Sequence, residues 1–154
     1  DAYPDAEWAQ SEGVALVTVD TLLQESDFIS VHLPSLPETR GFIGAAELAR
    51  MKPTAYLINT ARGDILDEDA LCAALLDGKL AGAGLDVFAQ EPPPLTSALL
   101  GLPNVVLAPH VAAHTTEAIH NMGMMSAQNA AQVLGGLPNE FVINARGLVE
   151  GGRK

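Results

Sequence analysis

Residues 55–86 read AYLINTARGDILDEDALCAALLDGKLAGAGLD, a pattern that predicts a strand, a helix and a second strand. The two apolar runs, Ala55–Asn59 and Ala81–Val87, have almost no polar face, which is typical of strands buried on both sides in a parallel sheet. Between them, Asp67–Asp77 begins with acids that suit a helix N-terminus, and Gly78 follows as a good C-terminal cap. Two strands joined in this way form a βαβ unit, so we expect an open α/β sheet with right-handed crossovers.

The same alternation continues on both sides of this unit. Further strands are predicted at Val14–Val17, Phe28–Leu33 and Val105–Ala108. Further helices are predicted at Thr18–Ser26, Ala45–Met51 and Thr116–Leu134. The predicted class is therefore a Rossmann-like α/β fold with a doubly wound parallel sheet.

Composition and charge exclude several classes of protein. The 154 residues include 8 basic and 19 acidic side chains, for a formal net charge of −11. This balance argues against a nucleic-acid surface and against an anionic membrane surface, since both need basic residues. One cysteine, Cys72, excludes an intramolecular disulfide, and the sequence shows neither a long apolar span nor a signal-peptide pattern. We expect a cytoplasmic protein with neither a nucleic-acid nor a membrane partner.

Polar side chains follow the predicted strands at the ends where open parallel sheets bind ligands. Arg62 follows one strand, Asp86 and Glu91 come at the end of the next, and His110 follows the last. We therefore expect one rim of the sheet to hold a cation, two carboxylates and an imidazole. Taken singly, an arginine there is often a surface residue, a glutamate a turn residue and a histidine a packed one. Their occurrence together indicates a site.

These residue types suit the reduction of a 2-keto acid. Arg62 can bind the substrate carboxylate through two parallel hydrogen bonds. Imidazole exchanges protons near neutral pH, so His110 can protonate the carbonyl oxygen while Glu91 fixes its tautomer. No side chain supplies a hydride, so a nicotinamide cofactor is implied. No metal site is expected, because the sequence has no His-Glu-x-x-His, no cysteine pair and no Asp-rich calcium loop.

A glycine-rich phosphate loop is missing from the sequence. Dinucleotide-binding enzymes normally carry Gly-x-Gly-x-x-Gly after their first strand. The pattern Gly82-Ala83-Gly84 lies inside a predicted strand and is followed by Leu85 rather than by a helix. Close packing within the sheet explains it better. Either the protein does not bind a dinucleotide, or the chain starts downstream of that motif.

Several longer stretches resemble the D-isomer-specific 2-hydroxyacid dehydrogenases. The matching segments are SDFISVHLP at 26–34, GAAELARMKP at 44–53, NTARGDILDE at 59–68, GAGLDVF at 82–88, Glu91-Pro92, and PHVAAHT at 109–115. The resemblance covers about residues 1–137. It implies the NAD-binding domain of an oxidoreductase, akin to phosphoglycerate dehydrogenase, that moves a hydride between NAD(H) and a 2-hydroxy or 2-keto acid. It also implies a homodimer for the intact enzyme.

The resemblance further implies a role for individual residues. Arg62 matches the substrate-binding arginine, Glu91 the glutamate that supports the histidine, and His110 the acid–base histidine. The expected cofactor-binding residues are Asp1, Leu33, Pro34, Thr60, Ala61, Asp86, His110, Ala112 and Ala113. Asp86 would lie near the nicotinamide carboxamide. An acid at Asp1 would favour NAD over NADP, because it repels the 2′-phosphate.

The chain departs from the family in its extent. Residues 1–137 resemble part of a dinucleotide-binding domain, incomplete at its N-terminal strands, and 138–154 resemble a tail leading toward an absent substrate domain. We expect a fragment that binds NAD weakly and does not turn over in isolation, because the phosphate loop is missing. Two alternatives stay open: an NAD-sensing, corepressor-like protein of the same superfamily, and a stand-alone binding module. The motifs do not separate phosphoglycerate, glyoxylate, hydroxypyruvate and D-lactate substrates.

Overall fold

The computed structural model describes residues 3–142 of the chain. The chain divides into two compact units, Asp1–Ala112 and Ala113–Lys154, and each is described by itself. The prediction for Asp1 lies outside the described residues, as does most of the predicted tail. The predicted domain limits at 1–137 and 138–154 stay predictions.

The described part of the first unit contains four α-helices and four strands. They are α1 (Ala6–Ser11), α2 (Val19–Glu25), β1 (Phe28–Val31), α3 (Ala45–Leu48), β2 (Tyr56–Asn59), α4 (Glu68–Leu76), β3 (Gly82–Leu85) and β4 (Val105–Leu107). The four strands form one parallel sheet in the order β1-β2-β3-β4. Phe28 pairs with Tyr56, and Tyr56 pairs with Gly82, so the strands start level. The predicted Rossmann-like α/β fold with a parallel sheet is confirmed.

One face of the sheet carries the core of the first unit. Its main members are Ile29, Leu57 and Leu85 from the strands, with Leu23 of α2, Leu48 of α3 and Leu71 of α4. Full burial of one large aliphatic side chain stabilises a protein by about 1.5–3 kcal/mol. This packing therefore holds the strands, and with them the loops at their carboxyl ends. The prediction that the strands are buried on both sides is wrong for the other face, where Phe28 is 69% and Tyr56 44% exposed. There the two rings stack with their centroids 5.5 Å apart.

Local capping sets the limits of the helices. The Asp67 carboxylate accepts the Ala70 N–H at 3.0 Å to begin α4, and Gly78, with φ of 67°, follows its end. The predicted helices at 67–77 and 18–26 are confirmed to within one residue at each end. The predicted helix Ala45–Met51 is shorter and ends at Leu48.

Some predicted elements are wrong or too long. The run Val14–Val17 is a connection between α1 and α2, and no strand among residues 3–142 pairs with it. Val14 and Leu16 are 47% and 55% exposed, so apolar composition alone did not make a buried strand there. The helix α1, capped by the Asp5 side chain, was not predicted. The predicted strands at 28–33 and 81–87 end earlier, at Val31 and Leu85.

The second unit contains α5 (Thr116–Leu134), which has the predicted limits. The Thr115 hydroxyl accepts the Ala118 N–H at 3.1 Å and begins the helix. Beyond its end, the Asn139 amide donates to the side chains of Asn129 and Gln132, which turns the chain back along α5. Among residues 3–142, no helix is long and apolar enough to cross a membrane.

Candidate active site

The predicted rim is formed by the loops that follow β2, β3 and β4. Parallel strands end at the same edge of a sheet, so these three loops lie side by side. Arg62 lies on the first, Asp86 and Glu91 on the second, and His110 on the third. Hydrogen bonds join the second loop to the third, and a close backbone contact joins the first to the second. The structure thus gathers the predicted residues along one edge.

Glu91 and His110 form a hydrogen-bonded pair. Nδ1 of His110 lies 2.8 Å from Oε2 of Glu91, and Oε1 of Glu91 accepts the Phe88 N–H at 3.0 Å. The bond from His110 and then the bond from Phe88 lower the pKa of Glu91 below its usual value, so the carboxylate is ionised at neutral pH. An ionised carboxylate only accepts hydrogen bonds. Nδ1 therefore carries a proton, and Nε2 is the nitrogen that can exchange one with a ligand.

The backbone at His110 has an uncommon conformation. Its φ is 57°, in the left-handed region that residues other than glycine seldom adopt. The next two N–H groups, of Val111 and Ala112, donate to Oδ1 and Oδ2 of Asp86 at 2.8 Å each. Asp86 and Ala112, both predicted to bind the cofactor, thus bind each other.

The Arg62 side chain is open to a ligand. Its Nη1 donates to the Ala61 carbonyl at 2.6 Å, and within residues 3–142 the guanidinium forms no ion pair. Its backbone is extended, and its carbonyl accepts a hydrogen bond from the buried Asn59 amide at 2.8 Å. A guanidinium in this state can bind a carboxylate through its remaining N–H groups.

Gly63 joins the Arg62 loop to the Glu91 loop. A Cβ placed on Gly63 would lie 1.9 Å from the carbonyl carbon of Phe88 and 2.4 Å from the nitrogen of Ala89. The two loops therefore touch backbone to backbone. The Ala89 N–H also donates to Oε1 of Glu68, at the start of α4, with a length of 2.6 Å. These contacts fix the Glu91 loop from the side of Arg62.

An open cleft of about 580 Å³ lies beside Arg62. It is lined by His32, Leu33, Pro34, Ser35, Ala61 and Arg62. Three of the predicted cofactor residues are in this lining, and Thr60, directly after β2, is not. Ala113 belongs to the second unit. The lining combines three apolar residues, Leu33, Pro34 and Ala61, with three polar ones, His32, Ser35 and Arg62, so it offers both apolar contacts and a cation to a ligand.

Sequence reasoning missed several residues of this site. His32 was placed inside a strand, but β1 ends at Val31 and His32 lines the cleft. Asn59, Gly63 and Glu68 were not singled out, although each holds a loop that carries a predicted catalytic residue. A polar residue ending an otherwise apolar run was the available signal for Asn59. Across the described part of the chain, no three His, Cys, Asp or Glu side chains are grouped as metal ligands.

Comparison with known proteins identifies the family. The model of the D-isomer specific 2-hydroxyacid dehydrogenase NAD binding domain matches residues 1–112. The chain belongs to this family of NAD-binding, Rossmann-fold oxidoreductases, as the sequence predicted.

Two curated relatives show the range of the family. The chain is 48% identical over 130 residues to glyoxylate/hydroxypyruvate reductase B of Pectobacterium carotovorum subsp. carotovorum. The matched residues make up 84% of this chain and 41% of that protein. The chain is 45% identical over 144 residues to the D-3-phosphoglycerate dehydrogenase of Archaeoglobus fulgidus, 94% of this chain and 27% of that protein. The chain thus spans less than half the length of these relatives.

A solved structure matches the fold closely. The NAD-complexed D-isomer specific 2-hydroxyacid dehydrogenase of Lactobacillus delbrueckii ssp. bulgaricus superposes with a TM-score of 0.85 at 35% identity. The match covers 93% of this chain and 47% of that one. NAD, the predicted cofactor, is thereby confirmed for the family.

Proposed function

We propose that this chain provides the acid–base pair and the substrate-binding arginine of an NAD-dependent 2-hydroxyacid dehydrogenase. The observation that carries the proposal is the Glu91–His110 hydrogen bond of 2.8 Å, at the same sheet edge as an arginine that is free to bind an anion. Membership of the dehydrogenase family supports the same assignment.

In the direction of reduction, Arg62 binds the substrate carboxylate. Its planar guanidinium matches two carboxylate oxygens and so sets the orientation of the adjacent carbonyl group. Leu33, Pro34 and Ala61, which line the cleft beside Arg62, would hold the cofactor. When bound there, NADH would supply the hydride for the carbonyl carbon.

His110 completes the reaction by moving one proton. With Nδ1 fixed on Glu91, protonated Nε2 donates its proton to the carbonyl oxygen, which yields the hydroxyl group of the 2-hydroxy acid. In the direction of oxidation, neutral Nε2 accepts the proton of the hydroxyl group.

The charge of the cleft indicates the class of substrate. Among the residues that line it, Arg62 is the one cation. Arg40, nearby in sequence, pairs with Asp64 at 3.2 Å. We therefore propose a 2-keto acid whose carboxylate binds Arg62.

The proposal is tested by following NADH oxidation with glyoxylate, hydroxypyruvate and phosphohydroxypyruvate, using the full product of the gene that encodes these residues. His110→Ala should lower kcat by about a hundredfold or more, the usual scale for an acid–base group. His120→Ala, on α5, is the matched control and should leave kcat unchanged. A wild-type protein that binds NADH but reduces no 2-keto acid would favour the NAD-sensing alternative instead.

A further inference from the structure

Two loops line the cleft beside Arg62. Residues 32–35 belong to the loop after β1 (residues 32–43, the β1 loop), and Ala61 and Arg62 belong to the loop after β2. A ligand that contacts both loops needs them at a fixed separation, because displacing a contact by about an ångström weakens its effect strongly. The contacts that join the two loops therefore bear on binding in this cleft.

Backbone hydrogen bonds join the loops at a distance from the cleft lining. The Gly41 N–H donates to the Asp64 carbonyl at 2.8 Å, and the Ile43 N–H donates to the Ile65 carbonyl at 3.1 Å. Both bonds come later in the chain than Ser35, the last residue of the β1 loop in the lining. They hold the end of the β1 loop, whereas the lining is formed by its beginning.

The Asp64 side chain provides a connection at the cleft itself. Its Oδ2 accepts the Ser35 hydroxyl at 2.6 Å and lies 3.2 Å from Nε of Arg40. Ser35 lines the cleft, and Asp64 follows Arg62 by two positions. The bond from Ser35 is partly buried and ends on a carboxylate, so it is stronger than a hydrogen bond between neutral groups. The carboxylate thus ties the beginning of the β1 loop to the Arg62 loop.

The β1 loop is also closed within itself. The Thr39 hydroxyl accepts the Leu36 N–H at 2.8 Å and donates to the Pro34 carbonyl. These bonds join both ends of the segment 34–39. A contact that holds Ser35 therefore holds the whole segment, including Pro34 in the cleft lining.

We propose that Asp64 is a positioning residue for the cofactor, which acts by holding the β1 loop in place through Ser35. The inference rests on the proposed function, in which Leu33, Pro34 and Ala61 hold the cofactor. In this role Asp64 contacts neither the cofactor nor the substrate. It fixes the part of the cleft lining that comes from the β1 loop relative to the part that comes from the Arg62 loop.

The charge of Asp64 would have the opposite effect on binding. A carboxylate near the cleft repels an anionic ligand such as NADH, and its pairing with Arg40 offsets the attraction from that cation. If charge were the main role of Asp64, Asp64→Ala would tighten the binding of NADH. Positioning predicts weaker binding, so the direction of the change separates the two roles.

Fluorescence titration of the full gene product with NADH measures this direction. Asp64→Ala should raise the Kd for NADH about tenfold or more, the scale expected for displaced contacts. Asp64→Asn keeps an acceptor for the Ser35 hydroxyl and should recover much of the affinity. Both variants lose the same charge, so the difference between them reports the hydrogen bond. Arg40→Ala should change Kd by less than about threefold, because its side chain is 64% exposed and exposed ion pairs contribute little.

Asp77→Ala is the matched control. It removes an acid that pairs with Lys79 at 3.0 Å, at the end of α4 and before β3, which is the opposite edge of the sheet. The Kd of this variant should stay within about threefold of the wild type.

A double-variant comparison tests whether Asp64 acts through Ser35. Ser35→Ala should weaken NADH binding by a factor similar to that of Asp64→Ala. The variant with both changes should bind no more weakly than the weaker of the two, because each change removes the same contact. In turnover, the KM for NADH should rise by a similar factor, with a smaller change in kcat.

Hydrogen exchange of the protein without ligand tests the connection separately. Peptides covering 34–41 should exchange faster in Asp64→Ala than in the wild type, because the hold on Ser35 is lost. Peptides covering α4, the next α-helix after Asp64, should exchange as in the wild type. Asp77→Ala should leave the exchange of 34–41 unchanged.

The outcomes separate this inference from the proposed function. Tighter NADH binding in Asp64→Ala, or the same Kd in Asp64→Ala and Asp64→Asn, overturns the inference. Multiplying effects of Ser35→Ala and Asp64→Ala overturn it as well. Unchanged exchange over 34–41, or equal acceleration over 34–41 and α4, has the same consequence. A wild-type protein that binds no NADH contradicts the proposed function and with it the role toward the cofactor, and the exchange experiment then decides whether Asp64 holds the β1 loop.

Discussion

Glu91 uses each carboxylate oxygen for a different partner, and this has a consequence for its titration. The hydrogen bond from His110 is the largest cause of its lowered pKa, followed by the bond from the Phe88 N–H. Because the pKa of Glu91 is lower in the folded protein, the ionised carboxylate and its hydrogen bonds are fully present above the usual pKa of 4.5. They are lost as the pH falls through the pKa that Glu91 has in the folded protein. Carbon NMR of the Glu91 carboxyl should therefore show a midpoint below 4.5.

Removing His110 should move this midpoint upward. In His110→Ala the Phe88 bond remains while the larger cause is lost, so the Glu91 pKa should return toward its usual value. His114→Ala, four residues further along the chain, is the control and should leave the midpoint as in the wild type. An unchanged Glu91 midpoint in His110→Ala would show that the pair is not formed in solution.

Gly63 is the residue at which the Arg62 loop and the Glu91 loop touch. A methyl group there would meet backbone atoms of Phe88 and Ala89, which have little freedom to move. Gly63→Ala should lower the free energy of unfolding by about 1–3 kcal/mol, as overpacking does, and should reduce turnover by separating Arg62 from Glu91. Gly101→Ala, where no atom lies within 4 Å of the added carbon, should stay within about 0.5 kcal/mol in urea denaturation. Equal stability of the two variants would falsify the proposed contact.

The residue types at the sheet edge could be predicted from the sequence, but the residues that hold their loops in place could not. Open parallel sheets bind ligands at the carboxyl ends of their strands, so the positions of the strands are enough to predict the location of a site. The residues that follow those strands are Arg62, Glu91 and His110. The supporting contacts join residues more than 20 positions apart in the chain: Gly63 packs against the backbone of Phe88 and Ala89, and Glu68 accepts the Ala89 N–H. Such contacts depend on how two loops meet in space, and no local pattern in the sequence records that.

Helix α4 begins with three acids that have different tasks. Asp67 caps the helix, Glu68 accepts the Ala89 N–H of the Glu91 loop, and Asp69 is exposed without such a bond. Glu68→Ala should cost about 1 kcal/mol of stability through the lost hydrogen bond and should lower kcat by loosening Glu91. Asp69→Ala, at the next position of the same helix turn, is the control. If Glu68→Ala and Asp69→Ala change the unfolding temperature and kcat equally, Glu68 acts through its charge at the start of α4 and not through the bond to Ala89.

The elements differ in how far the sequence predicted them. The unit at 55–86 was predicted well because its two apolar runs both find parallel partners and its helix has a side-chain cap at its start. The run Val14–Val17 has similar composition, but it leads directly into the Thr18 cap of α2 and pairs with no strand in the described residues. A strand needs a neighbouring strand to hydrogen-bond with as well as apolar residues, and the composition of a segment shows only whether the apolar residues are present.

At the scale of the whole molecule, the helix starts bear on cofactor affinity. Each of the five α-helices in residues 3–142 carries an acid in its first turn, namely Glu7, Asp20, Glu47, Glu68 with Asp69, and Glu117. These acids occupy the positions at which a helix N-terminus would otherwise attract a phosphate. The pattern Gly82-Ala83-Gly84 forms β3, and a Cβ on Gly82 would meet the Asn104 carbonyl at 2.6 Å. It therefore serves sheet packing, as the sequence predicted.

The 154-residue chain by itself should consequently bind NADH weakly, with a Kd above about 1 mM, or a binding free energy weaker than about −4 kcal/mol. Isothermal calorimetry at low and high salt provides the measurement. Salt weakens the binding of an anion to a site formed by cations or by a helix N-terminus. For this chain, we expect salt to leave the affinity for NADH unchanged or to raise it slightly, because salt screens the repulsion between NADH and a chain of net charge −11. Micromolar binding that weakens with salt would contradict this and would require a pyrophosphate site formed by other residues of the chain.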